Sequence, residues 1–153
     1  NADAVRRIYK IKQRSDSKAM ICLVDNTSRI QRYVRHVPDV AWDIFELSTK
    51  PTTVILDGAA NLAPNLIAED GSIAIRITNE PFSKQLCYRL QKPLVSTSAN
   101  LSGMPTARCF AEIPEEIKSQ VDYIVQFRRG EKAPREASKI LKLGRDGEVT
   151  IIR

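Results

Sequence analysis

Short apolar runs that read as buried strands alternate with helical patterns along most of this 153-residue chain. A continuous apolar run of this kind is typical of a strand covered on both faces, and helices then supply the connections between strands. The alternation predicts one α/β (α+β) domain over residues 1–153, with three layers and a mixed, twisted β-sheet flanked by helices. The predicted strands cover residues 19–24, 52–56, 73–77, a segment around Val95, 123–127, 138–143 and 149–152.

Residues with capping chemistry mark the predicted helix starts. Asp3 is the expected N-cap of a first helix that ends near Lys12, and Ser28 the cap of a second. Pro38 suits the first turn of a third helix, over 40–47. Two further helices are predicted at 81–91 and 114–121, and Asp146-Gly147 predicts a hairpin between the last two strands.

Residues 94–105 carry more polar groups than a strand end needs. Leu94-Val95 leads into a run of hydroxyls and an amide that includes Ser98 and Asn100, followed by a glycine and a proline. Buried hydrogen-bonding groups need partners, and ligands of open α/β sheets bind beyond strand ends. The segment predicts a pocket for a polar ligand; the alternative is an ordinary Ser/Asn/Gly turn.

Basic side chains occupy two positions where they could bind an anion. Lys12, Arg14 and Lys18 lie between the first helix and the first buried strand, where they can converge on one anion. The alternative is a basic helix end that is stabilised by the helix dipole. Arg76 interrupts an apolar strand, so it needs either an internal ion pair or an anionic ligand.

The net charge of +6 comes from residues 1–35, which contain nine basic and three acidic residues. A one-sided basic region attracts polyanions such as nucleotides or RNA, although a solvated helix face is an equal alternative. Three distant cysteines and the lone His36 predict reduced thiols and no metal site. No apolar stretch reaches the length of a membrane span, so a cytoplasmic protein without a membrane partner is expected.

Six segments, in chain order, resemble the YrdC-like family, the threonylcarbamoyl-AMP synthases. They are Lys12-Gln13-Arg14, residues 51–56, residues 73–77 with Arg76, Ser98-Ala99-Asn100 with Ser102-Gly103, residues 138–141 and residues 151–153. The resemblance implies a YrdC-like domain that converts ATP, L-threonine and bicarbonate (or CO2) into threonylcarbamoyl-AMP and pyrophosphate. The product would serve threonylcarbamoyladenosine formation in ANN-decoding tRNAs, alongside tRNA-modification proteins.

The resemblance also implies roles for individual residues. The ATP-binding residues would be Lys12, Arg14, Lys18, Asn100 and Arg153. Threonine or its carbamate would be held by Arg76, Ser98 and Ser138, and Thr53 would line the pocket. Catalysis would come from positioning and charge neutralisation, with Mg²⁺ bound through the phosphates.

The chain departs from the family pattern in several places. The family's N-terminal Pro-Thr-x-Thr-x-Tyr-Gly-Leu motif is absent, so the chain resembles the domain without its first strands. Thr49-Lys50, Thr78 and Lys139 also replace residues usual in the family. Two alternatives remain: a non-catalytic module that binds double-stranded RNA or tRNA, and a carbamoyl-transfer domain of a larger hydrogenase-maturation protein.

Overall fold

A computed structural model describes residues 1–14, 20–132 and 137–153. Within these ranges the helices are α1 (Ala2–Lys12), α2 (Asp39–Leu47), α3 (Pro81–Leu90) and α4 (Glu115–Lys118). The strands are β1 (Ile21–Val24), β2 (Thr52–Leu56), β3 (Ile73–Ile77), β4 (Leu94–Ser96), β5 (Lys139–Leu143) and β6 (Val149–Ile151). Short 3₁₀ helices cover Thr27–Arg32, Pro64–Leu66 and Phe110–Glu112.

The strands form one six-stranded sheet in the order β4-β1-β3-β2-β5-β6. β1 pairs with β3 and β2 with β5 in parallel, whereas the other three pairs are antiparallel. The predicted α/β domain with a mixed sheet and flanking helices is therefore confirmed.

The two faces of this sheet differ in polarity. Cys22, Val54 and Ile75 point to one face and are essentially inaccessible, in a core that also contains residues of α1 and α2. Neighbouring strand residues alternate between faces, so the opposite face presents Thr53, Arg76 and, from β4, Ser96. The polar face is where the candidate site lies.

Helix starts differ from the prediction in detail. Asn1, not Asp3, caps α1 through a 3.1 Å bond from the Ala4 amide to its side-chain oxygen, while Asp3 pairs with Arg6. Ser28 does not cap an α-helix, since it lies inside the 3₁₀ helix Thr27–Arg32 and its hydroxyl donates to Asn26. α4 is also shorter than predicted, because the chain after Lys118 leaves the helix through a tight turn at Ser119.

The predicted strand at 123–127 is wrong. Four of its five residues are apolar, but the segment joins no strand, and Tyr123 and Phe127 are largely exposed. Arg129 donates to the carbonyl oxygens of Ile124 and Val125, and Phe127 stacks on Phe82 of α3. Side-chain contacts thus replace the ladder of hydrogen bonds that a strand needs.

Two of the three cysteines, Cys22 and Cys87, are buried, and Cys109 is partly exposed. Burial raises the pKa of the Cys22 thiol to about 12. Across the portions of the chain that the structure describes, no helix has the length and apolar character needed to cross a membrane.

The Asp70 carboxylate should make stability depend on acid pH. It accepts bonds from Lys142 Nζ at 2.7 Å and from the hydroxyl and amide of Ser72, which lower its pKa from 3.8 to about 2. A depressed pKa stabilises the fold above 3.8, and this contribution is lost as pH falls toward 2.

Replacing Asp70 with asparagine should therefore make the free energy of unfolding fall less steeply at acid pH. At neutral pH the substitution should cost less than about 1 kcal/mol, because the pair is exposed. Urea unfolding at a series of pH values measures the effect. Asp43→Asn, at an exposed position of α2, is the control. If the free energy of unfolding of Asp70→Asn fell at acid pH as steeply as that of the wild type, Asp70 would not be the source of the pH dependence.

Candidate functional site

The end of α1 holds the loop that follows β4, residues 97–102, called here the β4 loop. Lys12 is only 4% exposed, and its Nζ donates to the carbonyl oxygens of Ser98 at 2.5 Å and Asn100 at 2.7 Å. The Ser102 amide in turn donates to the Lys12 carbonyl oxygen at 2.9 Å. Burial, with the nearby Arg14 charge, lowers the pKa of Lys12. Three hydrogen bonds thus fix this loop to one residue.

Two more predicted residues lie at the same loop. Arg14 Nη1 is 3.4 Å from Thr97 Oγ1, so the guanidinium sits beside the loop. Asn100 is buried; its Nδ2 donates to the carbonyl oxygens of Leu101 and Met104. Its Oδ1 is buried and has no hydrogen-bond partner among the residues described. The amide oxygen is available to a donor.

A second group of predicted residues meets where β2 and β5 pair. Thr53 is completely buried, and its Oγ1 lies 2.9 Å from Ser138 Oγ, just before β5. Arg153 donates from Nε and Nη2 to the Ser138 carbonyl oxygen, at 3.3 and 3.2 Å. The parallel register of β2 and β5 brings these positions together across 85 residues of sequence.

Arg76 is a partly buried cation on this polar face. Within the described ranges it forms no hydrogen bond or ion pair. Burial lowers the pKa of Arg76, and the Arg153 charge lowers it further. Two neighbouring cations with no carboxylate between them form a site that favours an anion.

An open cavity of about 770 Å³ adjoins Arg76 at the end of the sheet. Its size falls within the range of small-molecule sites. Other lining residues were not predicted as site residues, and they include Lys50, Thr52, Asn79, Glu80 and Arg128. Thr53, predicted to line a pocket, is completely buried and does not line this cavity, whereas its neighbour Thr52 does.

Glu80 and Arg128 form one wall of the cavity. Glu80 caps α3 through bonds to the amides of Phe82 and Ser83, and its Oε1 lies 3.1 Å from Arg128 Nη1. A glutamate before Pro81 signals a helix start in the sequence. Nothing local signals its contact with Arg128, which is 48 residues away.

The predicted site residues that the structure describes therefore fall into two groups: Lys12, Arg14, Ser98 and Asn100 at the β4 loop, and Thr53, Arg76, Ser138 and Arg153 at β2, β3 and β5. Ser98 is exposed, so its hydroxyl is accessible, whereas Ser138 is only 4% exposed. Lys18 lies outside the described residues. Within the described ranges no group of three or more His, Cys, Asp or Glu side chains is arranged to hold a metal ion.

Comparisons with known proteins show relatives of this sequence and of its fold. The chain is 39% identical over 128 residues to the threonylcarbamoyl-AMP synthase of Pseudoalteromonas translucida, covering 82% of this chain and 68% of that protein. It shares its fold with E. coli YciO (TM-score 0.80, 24% identity, 99% of this chain and 72% of that one).

A similar fold occurs in P. abyssi Sua5 complexed with L-threonine, with a TM-score of 0.80 and 18% identity. That match covers 94% of this chain but only 42% of the Sua5 chain. The Sua5/YciO/YrdC family model, described as Telomere recombination, matches residues 1–153. With a match along its whole length, the chain belongs to the Sua5/YciO/YrdC family.

Proposed function

We propose that this protein synthesises L-threonylcarbamoyl-AMP from L-threonine, bicarbonate or CO2, and ATP, releasing pyrophosphate. The name of its P. translucida relative and the threonine complex of P. abyssi Sua5 support this reaction. The observation that carries the proposal is the uncompensated Arg76 guanidinium beside Arg153. A ligand with a carboxylate supplies the counter-charge that the described residues lack.

The proposed reaction has two steps. The threonine amine adds to CO2 and loses a proton, which gives a carbamate. A carbamate oxygen then attacks the α-phosphorus of ATP, and the bond to the β-phosphate oxygen breaks as pyrophosphate leaves. No covalent enzyme intermediate is needed, so the protein acts as a nucleotidyltransferase that aligns reactants and neutralises charge.

Each group of residues has a part in this proposal. Arg76, Ser98 and Ser138 hold threonine or its carbamate, and Thr53 fixes the Ser138 hydroxyl. Arg14, Lys18, Asn100 and Arg153 serve the nucleotide. The cavity's carboxylate, Glu80, already caps α3 and pairs with Arg128. The ATP phosphates would therefore hold Mg²⁺, which would neutralise part of their charge when bound. The protein works in the cytoplasm, and its product supplies threonylcarbamoyladenosine formation in tRNA.

A non-catalytic module that binds double-stranded RNA or tRNA is the second candidate function. Four of the nine basic residues in 1–35 are already engaged: Arg6 with Asp3, Arg7 with Asp122, Arg29 with Asp25, and Lys12 with the β4 loop. Of these four, only Arg7 pairs with an acidic residue from outside residues 1–35, because Asp3 and Asp25 are already counted in the basic surplus and Lys12 contacts uncharged carbonyl oxygens. These contacts therefore do little to weaken the field that would attract a polyanion.

Pyrophosphate release from ATP and bicarbonate tests the proposed reaction directly. We expect release that depends on L-threonine and falls at least 10-fold in Ser98→Ala, because the exposed hydroxyl contacts the substrate. Ser119→Ala removes an equally exposed hydroxyl at the end of α4 and should behave as wild type. Release that is independent of threonine, or undiminished in Ser98→Ala, would contradict the assignment.

A further inference from the structure

Arg128 has a backbone conformation that arginine rarely adopts. Its φ of 61° lies in the left-handed region, which glycine enters freely and other residues enter at a cost in free energy. Such a conformation persists only where the surrounding structure holds it in place, and it is concentrated at functional sites. The side chain of Arg128 is therefore a candidate for a specific role.

The Arg128 guanidinium forms part of the cavity that Arg76 also lines. Its Nη1 donates to Glu80 Oε1 at 3.1 Å, and its Nε pairs with Glu131. The guanidinium carbon also lies 5.7 Å from the centroid of the Phe127 ring. These contacts fix the guanidinium against Glu80 on one wall of the cavity.

Glu80 is the one carboxylate among the described residues that line this cavity. Partial burial raises the pKa of its carboxyl, but hydrogen bonds from Ser83, Phe82 and Arg128 outweigh this effect and lower the pKa overall. The carboxylate is therefore ionised at neutral pH. It follows Arg76 by four residues and lines the same cavity, so it is a ready internal counter-ion for that guanidinium.

We propose that Arg128 is a positioning residue that holds Glu80 against the start of α3 and so leaves Arg76 available to the carboxylate of the substrate. In the described structure Glu80 does not pair with Arg76. Its Oε2 accepts instead from the amide and hydroxyl of Ser83, both at 2.8 Å, and its Oε1 accepts from the Phe82 amide and from Arg128. The inference rests on the proposed function, in which Arg76 holds threonine, and adds the residue that keeps this cation uncompensated.

A purely structural pair predicts a different response to substitution. If Arg128 and Glu80 only fastened residues 121–131 to α3, losing either partner would loosen the cavity wall, and losing both would be no better. If Arg128 acts by restraining the charge of Glu80, removing that charge as well should restore the substrate site. The double variant therefore separates the two roles.

Calorimetric titration with L-threonine, in the presence of a non-hydrolysable ATP analogue, tests the positioning role. Asparagine tolerates a left-handed backbone, so Arg128→Asn removes the cation without new strain. Threonine affinity should fall about 10-fold, because the released Glu80 carboxylate pairs with Arg76. Adding Glu80→Gln, which keeps an oxygen for the helix cap, should return the affinity to within about 3-fold of wild type. Arg108→Asn, which breaks the exposed pair with Glu112 outside this cavity, should bind threonine as wild type does.

The outcomes distinguish this inference from the proposed function. Wild-type affinity in Arg128→Asn, or a double variant that binds no better than Arg128→Asn, would overturn the positioning role. Arg128→Gly, which also suits the backbone, should show the same loss and the same rescue. If Arg76→Met lost affinity while Arg128→Asn did not, only the positioning role would fail; if Arg76→Met bound threonine as wild type does, both would fail.

Discussion

Replacing Arg76 with methionine is expected to weaken threonine binding about 100-fold. A charge-assisted hydrogen bond to a carboxylate is worth roughly 1.5–3 kcal/mol, and the guanidinium supplies two such bonds when it binds in a fork. Arg76→Lys keeps the charge without the fork and should fall between methionine and wild type. Calorimetric titration with L-threonine, in the presence of a non-hydrolysable ATP analogue, measures these affinities.

The same substitution should leave the fold as stable as wild type or stabilise it. The Arg76 charge is partly buried, has no counter-ion in the described residues and lies near Arg153, and burial lowers its pKa. A neutral side chain of similar length removes this desolvation and repulsion, with an expected gain of up to about 1 kcal/mol in the free energy of unfolding. A substitution that weakens ligand binding and raises the free energy of unfolding is typical of a residue whose role is to bind a ligand.

Arg89→Met provides the comparison for both measurements, because Arg89 is exposed on α3. It should change neither affinity nor stability. If Arg76→Met bound threonine as well as wild type, the carboxylate assignment would be wrong. A loss of more than about 2 kcal/mol in the free energy of unfolding would instead make Arg76 a structural residue.

Much of the sheet was predictable because its central strands are buried. The strands at 52–56 and 73–77 have the predicted bounds, because β-branched and other apolar residues dominate both segments. The same kind of pattern failed at 123–127. The apolar residues there include Phe127, which stacks on Phe82 of α3, but no described strand lies beside the segment to complete a ladder of hydrogen bonds.

The candidate site was predictable as a set of residue types and not as an arrangement. Hydroxyls after β4 and a cation inside β3 stand out in the sequence because folding alone does not require them. The bond between Thr53 and Ser138 depends on strand register across the sheet, which the sequence leaves open. Lys12 was predicted to meet a ligand, yet its ammonium meets the carbonyls that shape the ligand's loop.

Arg29 illustrates how burial changes the meaning of a basic residue. Asp25 follows β1 and is 5% exposed; its Oδ1 lies 3.2 Å from Arg29 Nε, and its Oδ2 accepts from Asn26 Nδ2. Arg29 Nη2 also donates to Gln91 Oε1 at 2.9 Å, at the end of α3. One guanidinium thus links the end of β1 to the 3₁₀ helix and to α3.

Arg29→Met should destabilise the fold by about 3 kcal/mol, because it leaves the Asp25 carboxylate buried without its cation. For a domain of this size, that corresponds to a fall in Tm of about 10 °C. Adding Asp25→Asn to Arg29→Met should recover part of the loss by removing the stranded charge. Arg32→Met, at an exposed position of the same 3₁₀ helix, should leave Tm unchanged. If Arg29→Met kept the wild-type Tm and bound ATP or RNA more weakly, Arg29 would instead belong to a ligand-binding surface, as the basic charge of residues 1–35 suggested.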